Sequence, residues 1–115
     1  MLKHQFAIAS NNIEEEKITI WINSNYIINK INVDDDFIQK FSKELDNLQT
    51  IWVTSSKSRK INNNLNYYGI TIIPNEEIGK FFNIVKETKD SKILKELTNL
   101  LRNKKENDVL IHFGI

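Results

Sequence analysis

Two histidines, His4 and His112, are the residues in this 115-residue chain best suited to chemistry near neutral pH. A metal site would want His, Asp or Glu at ligand spacing, and these two stand at opposite ends of the sequence. Asp108 precedes His112 by four residues, but in a strand that separates them by about 13 Å, too far to share an ion. His112 therefore reads as packing material, a core or sheet-face imidazole bonded to a backbone carbonyl or buried beside Tyr67 or Tyr68. No metal ligand and no catalytic base is assigned.

The other reactive groups are equally reducible to structure. The hydroxyls of Thr54, Ser55, Ser56 and Ser58 have no histidine near them in sequence, and nothing approaches the tight G-x-S-x-G turn that exposes a serine nucleophile. With three glycines, Gly69, Gly79 and Gly114, no glycine-rich loop can cradle a phosphate, so no nucleotide or other cofactor is expected. Having no cysteine excludes disulfides, thiolate zinc sites and a thiol nucleophile together. Adjacent carboxylates occur at Glu14-Glu15-Glu16, Asp34-Asp35-Asp36 and Glu76-Glu77. Runs of this kind mostly face solvent, where their use is electrostatic, attracting a basic protein partner and speeding encounter.

Net charge is +1, which gives no global pull toward nucleic acid. The charge is unevenly divided: residues 1–56 hold eight acids and five bases, residues 57–115 eleven bases and seven acids. Lys57, Arg59 and Lys60 lack interleaved aromatics, so the basic half reads as a solvated loop before it reads as an RNA patch. Trp21, on the more polar face of its segment, is a candidate contact residue.

The elements that must position these groups follow from periodicity. QFAIAS, KITIWIN and YIINKINV alternate and read as three strands over 5–10, 17–23 and 26–33, close enough in sequence to pair antiparallel. From Asp34 the period changes: Phe37, Phe41, Leu45, Leu48 and Trp52 make one helical stripe, with Asp34 to Asp36 capping its first turn. Residues 57–66 read as a mobile loop. YYGITII is a strand ended by Pro74, and Asn75 is placed to cap a helix with Ile78, Phe81, Phe82 and Val85 inward. Asp90 or Ser91 caps a further helix with Ile93, Leu94, Leu97, Leu100 and Leu101 inward. VLIHFGI is a strand apolar on both faces, hence central in a sheet or beneath a helix. The order β-β-β-α-β-α-α-β predicts an α+β fold, a mostly antiparallel sheet with helices packed on one side, in a single domain over 1–115. Apolar residues at 40% and charged residues at 27% suit such a globular core. No apolar run approaches the roughly 18 residues of a membrane span, and no secretory signal opens the chain, so the expected location is the cytoplasm.

The series YYGITIIPNEEIGKFF, then LKELTNLL, then VLIHFGI resembles a group of small bacterial immunity proteins from contact-dependent growth inhibition and related polymorphic toxin systems. The likeness covers residues 67–115, with KITIWIN a looser echo. It implies a cytoplasmic, non-enzymatic protein that binds the toxin domain encoded beside it. It also implies that the shared motifs, His112 and Gly69 among them, are scaffold. Many such toxins are nucleases with basic clefts, so the expected contacts are Glu14, Glu15, Glu16, Asp34, Asp35 and Asp36 together with Trp21. The alternative from the residues alone is a small protein- or RNA-binding adaptor or regulatory domain.

Overall fold

The computed structural model describes residues 3–9, 30–55 and 58–115. In chain order its elements are β1 (Lys3–Ala9), β2 (Lys30–Asp34), α1 (Asp35–Lys40), α2 (Ser42–Leu45), β3 (Gln49–Ser55), β4 (Ser58–Asn63), β5 (Ile70–Ile73), α3 (Asn75–Glu87), α4 (Ser91–Arg102) and β6 (Val109–Phe113). The strands form one sheet in the order β2-β1-β6-β5-β3-β4, every neighbouring pair antiparallel. This is the α+β class expected, with the terminal strand at its centre.

Strand alternation divides the sheet into two apolar faces. On one face Phe6, Ile8, Val33, Ile73 and Leu110 meet Phe37 of α1, Leu45 of α2 and Phe41 between them, Ile78, Phe81 and Val85 of α3, and Leu97 and Leu100 of α4. On the other, Ala7, Ala9, Val53, Ile72, Val109, Ile111 and Phe113 form a second cluster drawn from strands alone. The described helices therefore lie on one side. All five residues of β6 are buried, which accounts for the apolar character of both its faces.

The two long helices follow their stripes. In α4, Asp90 is the N-cap and its carboxylate accepts from the Ile93 amide at 3.1 Å. In α3 the N-cap is Pro74 and Asn75 is the first helical residue, so the expected Asn75 cap is not formed.

Three other expectations are corrected. The stripe from Phe37 to Trp52 is not one helix: α1 ends at Phe41 (φ −121°, ψ 27°), α2 ends at Leu45, and Trp52 lies in β3. The β-branched run Thr50, Ile51, Val53, Thr54 favours a pleated strand over a helical turn there. Residues 58–63 of the expected loop are β4, paired to β3 from Gln49↔Asn63 to Ser55↔Ser58. An edge strand needs few apolar residues, so its polar sequence carried no strand signal. Third, Tyr67 and Tyr68 belong to a turn, closed by the Gly69 amide on Asn66 O at 3.1 Å, and β5 begins only at Ile70. The expected strand over 17–23 lies outside the described residues, and the one over 26–33 is described from Lys30 onward.

Candidate functional site

Antiparallel pairing of β1 with β6 brings the chain's two histidines together. The register sets Phe6 opposite His112, so His4, two residues earlier on the same face, is the diagonal neighbour of His112. His4 Nδ1 and His112 Nε2 are 2.7 Å apart, and the two rings stack with centroids at 4.9 Å. Sequence separation hid this contact, but one signal was present. His4 is in phase with Phe6 and Ile8, and His112 with Leu110, so alternation alone places both imidazoles on the helix-covered face.

Four further residues, from three elements, complete the cluster. Asp35, at the start of α1, turns inward and places Oδ1 at 2.9 Å from His4 Nε2. Gln39, one helical turn on, donates from Nε2 to Asp35 Oδ2 at 2.7 Å. Tyr67, in the turn before β5, packs edge-on against His4 with centroids 5.2 Å apart, and its hydroxyl acts on the Asp35 carboxylate. Thr71 of β5 sits with Oγ1 at 3.3 Å from His112 Nδ1 and accepts from the Asn66 amide at 2.7 Å.

The direction of each bond follows from its ends. A carboxylate only accepts, so His4 Nε2 carries a hydrogen toward Asp35. With both imidazoles neutral, His4 Nδ1 is then an acceptor, His112 Nε2–H donates to it, and His112 Nδ1 accepts the Thr71 hydroxyl. In that state every polar atom of the chain from Thr71 to Asp35 is satisfied, and the one charge is the carboxylate of Asp35. Satisfaction of this kind is what makes a buried polar cluster tolerable.

The electrostatics agree with the geometry. The Tyr67 hydroxyl first, and then His4, hold the Asp35 carboxyl below the usual carboxylate range against the opposing effect of desolvation, with Gln39 adding to the same side. The same interaction with the Asp35 carboxylate raises the Tyr67 phenol above its usual value, and burial adds to it. His112 is pushed down from 6.5 to about 3, chiefly by burial and secondarily by charge on His4.

His4, Thr71 and His112 each have 0% exposure, so no reactive atom of the imidazoles or the hydroxyl reaches solvent in this conformation. Both nitrogens of His4 are occupied within the cluster, and among the described residues no group of three or more His, Cys, Asp or Glu is arranged to hold a metal ion. What the arrangement does is mechanical: it ties β1, β5, β6, α1 and the 67–69 turn to one another. His112 is a core imidazole as expected, but its partners are His4 and a hydroxyl, not a backbone carbonyl. Tyr67 packs on His4.

The turn that carries Tyr67 is itself fixed by the end of the chain. Gly114 N donates to Gly69 O at 2.7 Å and Ile115 N to Tyr67 O at 2.9 Å. A Cβ at Gly114 would lie 2.2 Å from the Tyr67 carbonyl oxygen and 2.8 Å from the Gly69 amide nitrogen, so only glycine allows this approach.

The acidic triplet divides. Asp35 is buried and belongs to the cluster, which corrects its expected role as a surface contact, while Asp34 and Asp36 are exposed. Asp34 is the N-cap residue of α1 without a side-chain cap bond, so the capping expected of the triplet is not made by it. It lines a surface cleft of about 680 Å³ with Lys3, Lys30, Asp90, Lys92 and Glu96, a mixed-charge site whose lining includes neither imidazole. Glu14, Glu15, Glu16 and Trp21 lie outside the described residues. Among the described residues no helix is long and apolar enough to cross a membrane.

Comparison with known proteins found no matching family model, no matching curated protein and no matching solved structure.

Proposed function

We propose that this chain is an immunity protein that binds and neutralises a cognate bacterial toxin domain, acting by covering its partner and not by catalysis. The observation that carries the reading is the closure of the cluster: the most reactive side chains are consumed in holding strands together. The segments on which the family resemblance rests also pack as one unit. β5 pairs with β6 over Ile70↔Phe113 to Ile73↔Leu110, and Gly114 bonds Gly69. Motif residues used as scaffold leave the partner to be met by less constrained surface, as an interface that tracks a changing toxin requires.

The contact surface in this reading is acidic: Glu14, Glu15 and Glu16 with Asp34 and Asp36, and Trp21 as an apolar anchor. It fits a toxin with a basic substrate cleft, a nuclease above all. Coexpression with the neighbouring open reading frame is the test. A cognate toxin should kill cells lacking this chain, spare cells carrying it, and copurify with it. Survival without a complex, or a complex without protection, would refute the proposal. Within a complex, Asp36→Lys should slow association and flatten its salt dependence, whereas Asp35→Asn should act through folding stability.

A further inference from the structure

We propose that β4 is a self-association edge, through which two copies of this chain pair antiparallel about a twofold axis at Ile61. Among the described residues β4 has one strand neighbour, β3. The bond from Asn64 N to Leu48 O at 3.1 Å fixes the ladder between them: rungs 48/64, 50/62 and 52/60 are bonded, and 49/63, 51/61 and 53/59 are not. The amide and carbonyl of Ile61 therefore point away from β3. So does the Asn63 amide, which is taken by the side chain of Asn62 at 2.8 Å, an exposed placeholder that a neighbouring strand can displace.

The side chains set the register in which a second copy fits. Ile61 is 75% exposed, one of two large hydrophobics among the described residues left in solvent. It borders a notch of about 160 Å³ with Ile51 and Pro74. A twofold axis at Arg59 or Lys60 would set like charges opposite each other, and one at Asn62 or Asn63 would set Ile61 against an amide side chain or leave it out. With the axis at Ile61, the two Ile61 side chains meet, Lys60 faces Asn62 of the second copy, and Ile51-Ile61-Ile61-Ile51 becomes a continuous apolar row across the joined sheets. The two Lys60 side chains then sit diagonally, about 7 to 8 Å apart, so their repulsion keeps the pairing weak at low salt.

Sedimentation equilibrium of the intact chain from micromolar to millimolar concentration should show a reversible monomer–dimer equilibrium that tightens as salt is raised. Ile61→Lys should weaken it roughly tenfold or more, with an unchanged circular dichroism spectrum because the side chain is exposed. The chain has no cysteine, so Ile61→Cys provides a unique thiol. Bonded antiparallel partners have Cα atoms about 5.5 Å apart, within disulfide reach, so mild oxidation should link this variant into dimers. Asn63→Cys would hold its two thiols about 14 Å apart in this register and should not cross-link. A chain that stays monomeric throughout, leaving the edge to a strand of some other protein, would overturn the proposal. So would tightening at low salt, or equal cross-linking of both cysteine variants.

Discussion

Acid should loosen this protein through His112, in a pH window that the cluster defines. In the folded chain the imidazole takes a proton only near pH 3, whereas in the unfolded chain it does so near 6.5. Between these values the unfolded state binds one more proton, so stability falls as pH falls, by about 1.4 kcal/mol per pH unit. Because the unfolded imidazole is already half protonated at pH 6.5, going from pH 6.5 to 4.5 costs about 2 kcal/mol, a sizeable share of the roughly 5–15 kcal/mol that holds most domains folded. Urea denaturation followed by tryptophan fluorescence at stepped pH measures the slope directly. The comparison variant is His112→Gln, which keeps an amide donor for His4 but does not titrate. It should be less stable at neutral pH and should lose the His112 contribution to the slope above pH 4.5, so an overall loss of stability does not confuse the reading. Asp35 acts in the same direction but lower, because its contribution is lost only as pH falls through and below the ordinary carboxylate range. A wild-type stability flat between pH 6.5 and 4.5, or equal slopes for wild type and variant, would refute the assignment of His112 as a neutral buried partner.

At the alkaline end Tyr67 has the opposite effect: its folded phenol holds its proton past the ordinary value of 10, so stability should fall as pH rises through 10, and Tyr67→Phe should remove that fall. Gly114→Ala forces a methyl into the Tyr67 carbonyl and should cost about 2–4 kcal/mol through overpacking and strained hydrogen bonds, read as a lowered melting temperature. Leu110→Ala, at 0% exposure in the centre of the sheet, should cost about 2–5 kcal/mol in the same assay. Lys89 closes α3 with φ 61°, a left-handed conformation that glycine adopts without strain, so Lys89→Gly should stabilise by about 0.5–1 kcal/mol in denaturation.

Elements whose local pattern agrees with their environment were legible in the sequence. The helix over 75–87, the helix capped by Asp90 and the doubly buried strand at 109–113 each carry their own periodicity, and the class of the fold follows from them. The passage from α1 to β3 was not legible, because Leu48 and Trp52 continue the helical spacing of three and four by coincidence while the chain changes to a pleated strand at Gln49. β4 escaped for a different reason: with one neighbour and an exposed flank, SRKINN has no burial to record in its composition. The histidine cluster depends on a register between residues more than a hundred positions apart, and only the phase of each imidazole against its own strand was available beforehand. Asp35 and Asp36 share the first turn of α1, and only the direction of Asp35, turned inward to His4 of β1, sets it apart.

The position of β6 has a consequence for how the molecule is made. β6 lies between β1 and β5, so the two halves of the sheet, β1-β2 and β5-β3-β4, share no strand ladder until residues 109–113 arrive. During vectorial synthesis these halves wait as separate hairpin-like pieces, with the apolar flanks of β1 and β5 unzipped. The keystone is delivered late, and it joins a strand more than a hundred residues upstream, a long-range closure of the kind that slows folding and leaves nascent chains in need of chaperones.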